Sequence, residues 1–129
     1  SSAASDVYKR QSQWNKDLDN AANKSFVKSF KEAYGRLPSL YASQGFDTAN
    51  LVISALEKAD VNNAGAFRDA LRAADFESTR GDFSFASNQH PIQSIYARQV
   101  IQEGDVFTNK VLSMVLENHS NAYVDDCKM

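Results

Sequence analysis

The sequence predicts an α/β chain in which three helices precede two or three strands. Three observations carry this. Apolar residues recur at helical spacing in three segments between residues 21 and 74. At Phe76 the period changes, and phenylalanines alternate in GDFSF, residues 81–85. Past residue 91 the chain turns rich in β-branched and aromatic residues, which fit a pleated surface.

The first segment, residues 12–19, holds the single tryptophan, Trp14, and reads as a loop. Trp14 is expected to be a packing anchor, because so large an aromatic seldom stays exposed. Asn20 is a good N-cap for a helix over residues 21–34. Phe26, Val27, Phe30, Ala33 and Tyr34 share one face of it, and Lys24, Lys28, Lys31 and Glu32 form a solvated one. Gly35 supplies the left-handed cap that ends it.

Residues 37–59, LPSLYASQGFDTANLVISALEKA, organise the rest. Pro38 and Ser39 suit a helix start, and the segment runs for about six turns. Phe46, Ala49, Ile53 and Leu56 fall on one face, which predicts a buried side. Asp47, Asn50, Ser54 and Lys58 form a narrow polar stripe, which predicts the exposed one. The first half mixes aromatic, amide, glycine and carboxylate at Tyr41, Gln44, Gly45, Phe46 and Asp47. Aromatic walls with a few polar anchors are the chemistry of a pocket.

Residues 60–63 are a polar turn, and a short helix follows over residues 64–74, with Ala66 or Phe67, Ala70, Leu71 and Ala74 inward. Phe83 and Phe85 then lie on one side of a half-buried strand. ASNQHP, residues 86–91, is turn chemistry, since a residue before proline disfavours helix. Residues 93–101 are the next strand, broken by Gly104 and Asp105, and residues 110–116 are a short apolar run that fits a third strand or a helix. Residues 118–129 are polar and read as a loose tail.

Composition bounds the function. A chain of 129 residues allows one domain with a modest core. A net charge of -2 offers no footprint for nucleic acid or an acidic membrane. No apolar run approaches the ~20 residues that span a bilayer, so no direct membrane insertion is expected. There is no glycine-rich nucleotide loop and no G-x-S-x-G elbow. His90 and His119 lack metal-ligand spacing, and Cys127 lacks a neighbouring base. No cofactor, metal or catalytic residue is expected, and Arg98 is read as a salt-bridge residue.

The order of signals in FVKSFKEAYGRLPSLYASQGFDTANLVISALEKA and then AFRDALRAADFESTRGDFSFASNQHPIQSIYARQV resembles the C-terminal part of a type I periplasmic binding protein. The resemblance covers residues 14–129 and points to the branched-chain amino-acid and aromatic-acid receptors of ABC transporters. It implies part of a two-lobed Rossmann-like fold in which helices cover parallel sheets, with the chain crossing between lobes after residues 88–91. It also implies a substrate-binding component that takes up an amino acid, aromatic acid or amide in the periplasm and delivers it to a membrane permease, with no enzymatic step. The aromatic of the family's YDA-like motif, which faces the interlobe cleft, is Phe46 here rather than tyrosine. Loss of that hydroxyl favours a more apolar or aromatic ligand. Asp47 matches the motif's acid, to accept from a ligand amine or orient a neighbouring polar group. Tyr41 and Gln44 complete the candidate ligand-binding set. A cytoplasmic ligand sensor on the same fold and a small self-contained α+β interaction protein are the competing readings.

The start of the chain carries a second resemblance. DVYKRQ, residues 6–11, is similar to the translation of a transposon end used as a sequencing adapter. Residues 1–11 are therefore read as foreign, and residues 12–129 as the C-terminal portion of the ligand-binding domain. The signal peptide is expected in the sequence upstream.

Overall fold

The computed structural model describes residues 9–127. In chain order the elements are β1 (Lys9–Ser12), α1 (Ala21–Tyr34), α2 (Leu40–Lys58), α3 (Ala64–Ala73), β2 (Ser84–Phe85), β3 (Pro91–Glu103) and β4 (Val106–His119). Residues 1–8 of the segment read as foreign lie outside the described residues. Lys9, Arg10 and Gln11 belong to β1, an element that the sequence does not predict. Strand pairing runs through backbone groups, and these three side chains are exposed.

The helix ends follow local chemistry. The Asn20 side chain accepts from the Asn23 amide and caps α1, and Gly35 closes it with φ 65°. The Ser39 side chain accepts from the Ala42 amide and opens α2. Asn63 does the same for α3, which stops one residue earlier than predicted because Ala74 takes the left-handed conformation, φ 48°.

β3 is the centre of the sheet. Tyr96 pairs with Ser12 of β1 on one edge and with Met114 of β4 on the other. Residues 93–101 and 110–116 are both in strands, and both strands are longer at each end than these segments. They join through Gly104, φ 61°, at the first loop position, where a two-residue hairpin turn calls for glycine. The strand expected over residues 81–85 contracts to Ser84–Phe85, although the Phe83 and Phe85 rings do meet, 5.1 Å apart. Every pairing is antiparallel. The parallel sheet that the resemblance implies is absent among the described residues; for β3 and β4 the reason is their two-residue loop, which permits only antiparallel neighbours.

The core is small. Trp14, Leu18 and Phe26 are buried, with Val27, Phe30, Leu40, Tyr96 and Val111 packed around them. Trp14 is the packing anchor that its size predicts, meeting Phe26 edge to face at 6.2 Å. Its indole N–H donates to Asn23 Oδ1 at 2.7 Å. Asn23, fully buried, then donates to the carbonyls of Asn15, Lys16 and Leu18 at 3.1–3.2 Å. One amide side chain thus ties the irregular loop to α1. The loop in turn holds the hairpin: Asn15 Nδ2 donates to the Asn109 carbonyl, Asp17 accepts from the Val111 amide, and Lys16 pairs with Glu103 at 3.0 Å.

Arg98 departs from its expected role. It has no carboxylate partner among the described residues; its Nη1 reaches the Trp14 carbonyl at 3.4 Å and its Nε is buried without a partner. Burial pushes the guanidinium's pKa down. Its cross-strand neighbours are Arg10 and Val111, neither of which can neutralise it.

Replacing Asn23 with Ala leaves the indole N–H and the Lys16 carbonyl unmatched and takes one of two donors from the Asn15 and Leu18 carbonyls. At ~1–3 kcal/mol per unsatisfied group, partly relieved by water, the expected loss is about 3 kcal/mol. It is read as a fall in the urea midpoint of tryptophan fluorescence.

Candidate functional site

The candidate residues sit on the first half of α2. The predicted sides of that helix are partly reversed: Asp47 and Ser54 of the polar stripe are buried and the apolar face is open, while Lys58 is exposed as expected. Ser43, Asp47, Ser54 and Ala55 are buried, whereas Phe46, Val52, Ile53 and Leu56 are 39–53% exposed. The reason is what α2 faces. The segment between α3 and β2 brings polar donors against its polar stripe, and no described residue covers Ile53 or Leu56 enough to bury it.

Asp47 is the clearest case. Its carboxylate is 1% exposed and takes three donors from one turn. Ser78 Oγ donates to Oδ2 at 2.6 Å, the Thr79 amide to Oδ1 at 2.9 Å, and Arg80 Nε to Oδ2 at 3.0 Å. Charge-assisted bonds of this kind are the strong ones, and they offset the cost of burying the carboxylate. Around them, Ser43 Oγ and Thr79 Oγ1 lie 2.8 Å apart, and Asn20 Nδ2 donates to the Thr79 carbonyl at 3.2 Å. Arg80 continues outward: Nη1 donates to Gln93 Oε1 at 2.8 Å, and the guanidinium lies 4.3 Å above the Phe83 ring. Gly81, φ 86°, lets the turn close. The solvent-stripe alternative for Asp47 is overturned. The geometry fits the role of orienting a neighbouring polar group.

The other candidates separate. Gln44 and Asp47 border one cleft of about 320 Å³ together with Arg80, Phe83 and Phe85. Phe46 projects to another side, its ring 4.8 Å from Phe26, and lines an open groove of about 510 Å³ with Asn50, Ile53, Phe76, Glu57 and Glu77. Tyr41 is 80% exposed and borders neither of these two clefts. The structure therefore brings Gln44 and Asp47 together and leaves Phe46 and Tyr41 apart. Ser78, Thr79 and Arg80 were not legible as site residues. They lie 31–33 positions from Asp47, and a short polar run before a glycine carries no partner label of its own. Among the described residues no group of three or more His, Cys, Asp or Glu is placed to hold a metal, and no helix is long and apolar enough to cross a membrane.

Asp47→Ala strands the Arg80 guanidinium, and removing one partner of a buried pair costs ~3–5 kcal/mol. Asp47→Asn keeps an acceptor for the Thr79 amide and is expected to cost less. Amide hydrogen exchange separates them: Thr79 loses its protection in the alanine variant and keeps part of it in the asparagine variant.

The comparisons with known proteins agree on one kind of relative. The family model described as periplasmic binding protein matches residues 2–105. A solute-binding protein of an ABC transporter from Rhodopseudomonas palustris, solved with benzoate, is 31% identical with a TM-score of 0.82. That match covers 94% of this chain and 33% of the other. A second, from R. palustris BisB5 with 3,4-dihydroxybenzoic acid, is 27% identical with a TM-score of 0.69, covering 88% of this chain and 32% of that one. A leucine-binding protein from Thermotoga maritima shares the fold at 19% identity and a TM-score of 0.69, over 82% of this chain and 30% of its own. No curated protein matches. The chain spans about a third of the length of the solved proteins it matches. With the family model matching well over half of its residues, the chain belongs to the periplasmic binding protein family.

Proposed function

We propose that residues 12–129 are the C-terminal portion of the substrate-binding component of an ABC transporter that captures a small solute, an aromatic acid before an amino acid or amide. The observation that carries this is the match over 94% of the chain to a solute-binding protein solved with benzoate. The solute would be held between two lobes in the periplasm and handed to a membrane permease. No bond would be made or broken, so the chain is read as a binding protein and not an enzyme.

Within that reading the four candidate residues have different tasks. Phe46 supplies an aromatic wall, being 41% exposed and free of any polar group. Asp47 acts through the turn it holds, fixing Arg80 and Phe83 beside the cleft that Gln44 borders. Tyr41, the most exposed of the four, is a rim residue for the opposing lobe to meet. Ile53 and Leu56 lie on a face meant to be covered by the rest of the receptor.

Two experiments test this. The genomic sequence upstream of residue 12 is recovered, which also settles the origin of residues 1–11, and the complete receptor is titrated calorimetrically with benzoate, 4-hydroxybenzoate, leucine and benzamide. An aromatic acid is expected to bind more tightly than leucine, and Phe46→Ala to weaken it roughly tenfold through lost aromatic contact. Silence from all four ligands would sink the proposal. Second, the 129-residue chain is expected to self-associate through its uncovered apolar faces. Ile53→Lys with Leu56→Lys should shift it towards monomer in sedimentation velocity.

A further inference from the structure

A second pocket lies on the far side of α2 from the Phe46 groove, and its chemistry is different. It has a volume of about 220 Å³ and is lined by Leu51, Arg68, Leu71, Arg72, Phe85 and Gln89. Its floor is apolar: Leu51 from α2, Leu71 from α3 and Phe85 from β2, all half-buried. Its rim is cationic. Arg68 and Arg72 stand one turn apart on the same face of α3.

These two charges are weakly committed. Arg68 Nε reaches only the Ala64 carbonyl of its own helix, at 3.5 Å, and pairs with no carboxylate among the described residues. Arg72 touches Asp69 at 3.5 Å while half exposed, a contact that contributes little in water. Gln89 lines the mouth from a left-handed backbone, φ 60°, a conformation that a non-glycine residue rarely adopts.

We infer that this pocket is a binding site for a small amphiphilic carboxylate, with one ring or branched alkyl group on the leucine and phenylalanine floor and the carboxylate on Arg68 and Arg72. Size permits it: an apolar cavity of about 150 Å³ is enough for benzene, which leaves room here for a ring and a carboxylate. Charge selects it, since guanidinium groups pair with carboxylates in two-pronged fashion and offer nothing to an ammonium group. The site adjoins the cleft that Gln44 and Asp47 border, sharing Leu51 and Phe85 with it, and goes beyond it through Arg68, Leu71, Arg72 and Gln89, which line neither that cleft nor the Phe46 groove.

The test uses fluorine NMR with three probes of one shape: 4-fluorobenzoate, 4-fluorobenzyl alcohol and 4-fluorobenzylamine. The benzoate is expected to bind with saturation, the alcohol several-fold more weakly, and the amine not at all. Arg68→Glu with Arg72→Glu changes two exposed positions on a surface helix, so circular dichroism should be unchanged while benzoate affinity falls roughly tenfold. Phe46→Ala should leave binding at this pocket intact, which separates it from the Phe46 groove. Equal binding of alcohol and benzoate, or a double variant with undiminished benzoate affinity, would overturn the inference.

Discussion

The carboxylate of Asp47 is the constraint on which the arrangement of this chain turns. Between α3 and β2 the backbone leaves all regular structure, and its polar groups still need partners. One acidic side chain on α2 supplies them, accepting from Ser78, Thr79 and Arg80 at once. Arg80 then passes the connection to Gln93 on β3. The helical layer and the sheet are thus joined by a charge network at one point. At another they are joined by the Trp14 core and the loop that Asn23 holds in shape. The joint is polar where the turn meets α2 and apolar where α1 meets the hairpin.

That joint explains the partly inverted helix. An amphipathic helix normally buries its apolar stripe, since each large apolar side chain removed from water contributes about 1.5–3 kcal/mol. Here α2 turns Asp47 inward instead, because that carboxylate is the acceptor that the turn's three donors meet. Phe46, Ile53 and Leu56 stay open, and so do Val106, Phe107 and Leu112 on the outer sheet strand. On the proposed reading, these are the surfaces that the rest of a two-lobed receptor would cover.

How much of this was legible in the sequence depended on the range of the interaction. Asn20, Ser39 and Gly35 act on amides and carbonyls within four residues, so caps and helix bounds were readable to within a residue or two at nearly every end. The break in the strands at Gly104 was readable for the same reason, though not that it is a hairpin turn. The sheet's direction was not, because strand pairing depends on what lies between strands, and the resemblance suggested parallel layers. Asp47 was singled out by its motif, yet its partners 31–33 residues away were invisible. Arg98 was assigned a carboxylate that it does not have, since pairing on a strand depends on which residues its neighbours bring opposite, and here those are Arg10 and Val111.

The same geometry divides labour within the aromatic–acid pair of α2. Adjacent residues on a helix point about 100° apart, so Phe46 and Asp47 cannot serve one small ligand in the same way. Asp47 already carries three donors, one of them charged, and a ligand amine would have to displace Arg80 to reach it. Phe46 carries no polar group, and its ring already leans on Phe26 with its other side open. On the proposed reading, then, the acid sets the frame and the aromatic meets the solute. A phenyl ring at that place gives up the hydroxyl's hydrogen bond and offers a flat apolar surface instead. That exchange favours solutes whose body is itself a ring, which is the preference that titration with aromatic acids against leucine would register.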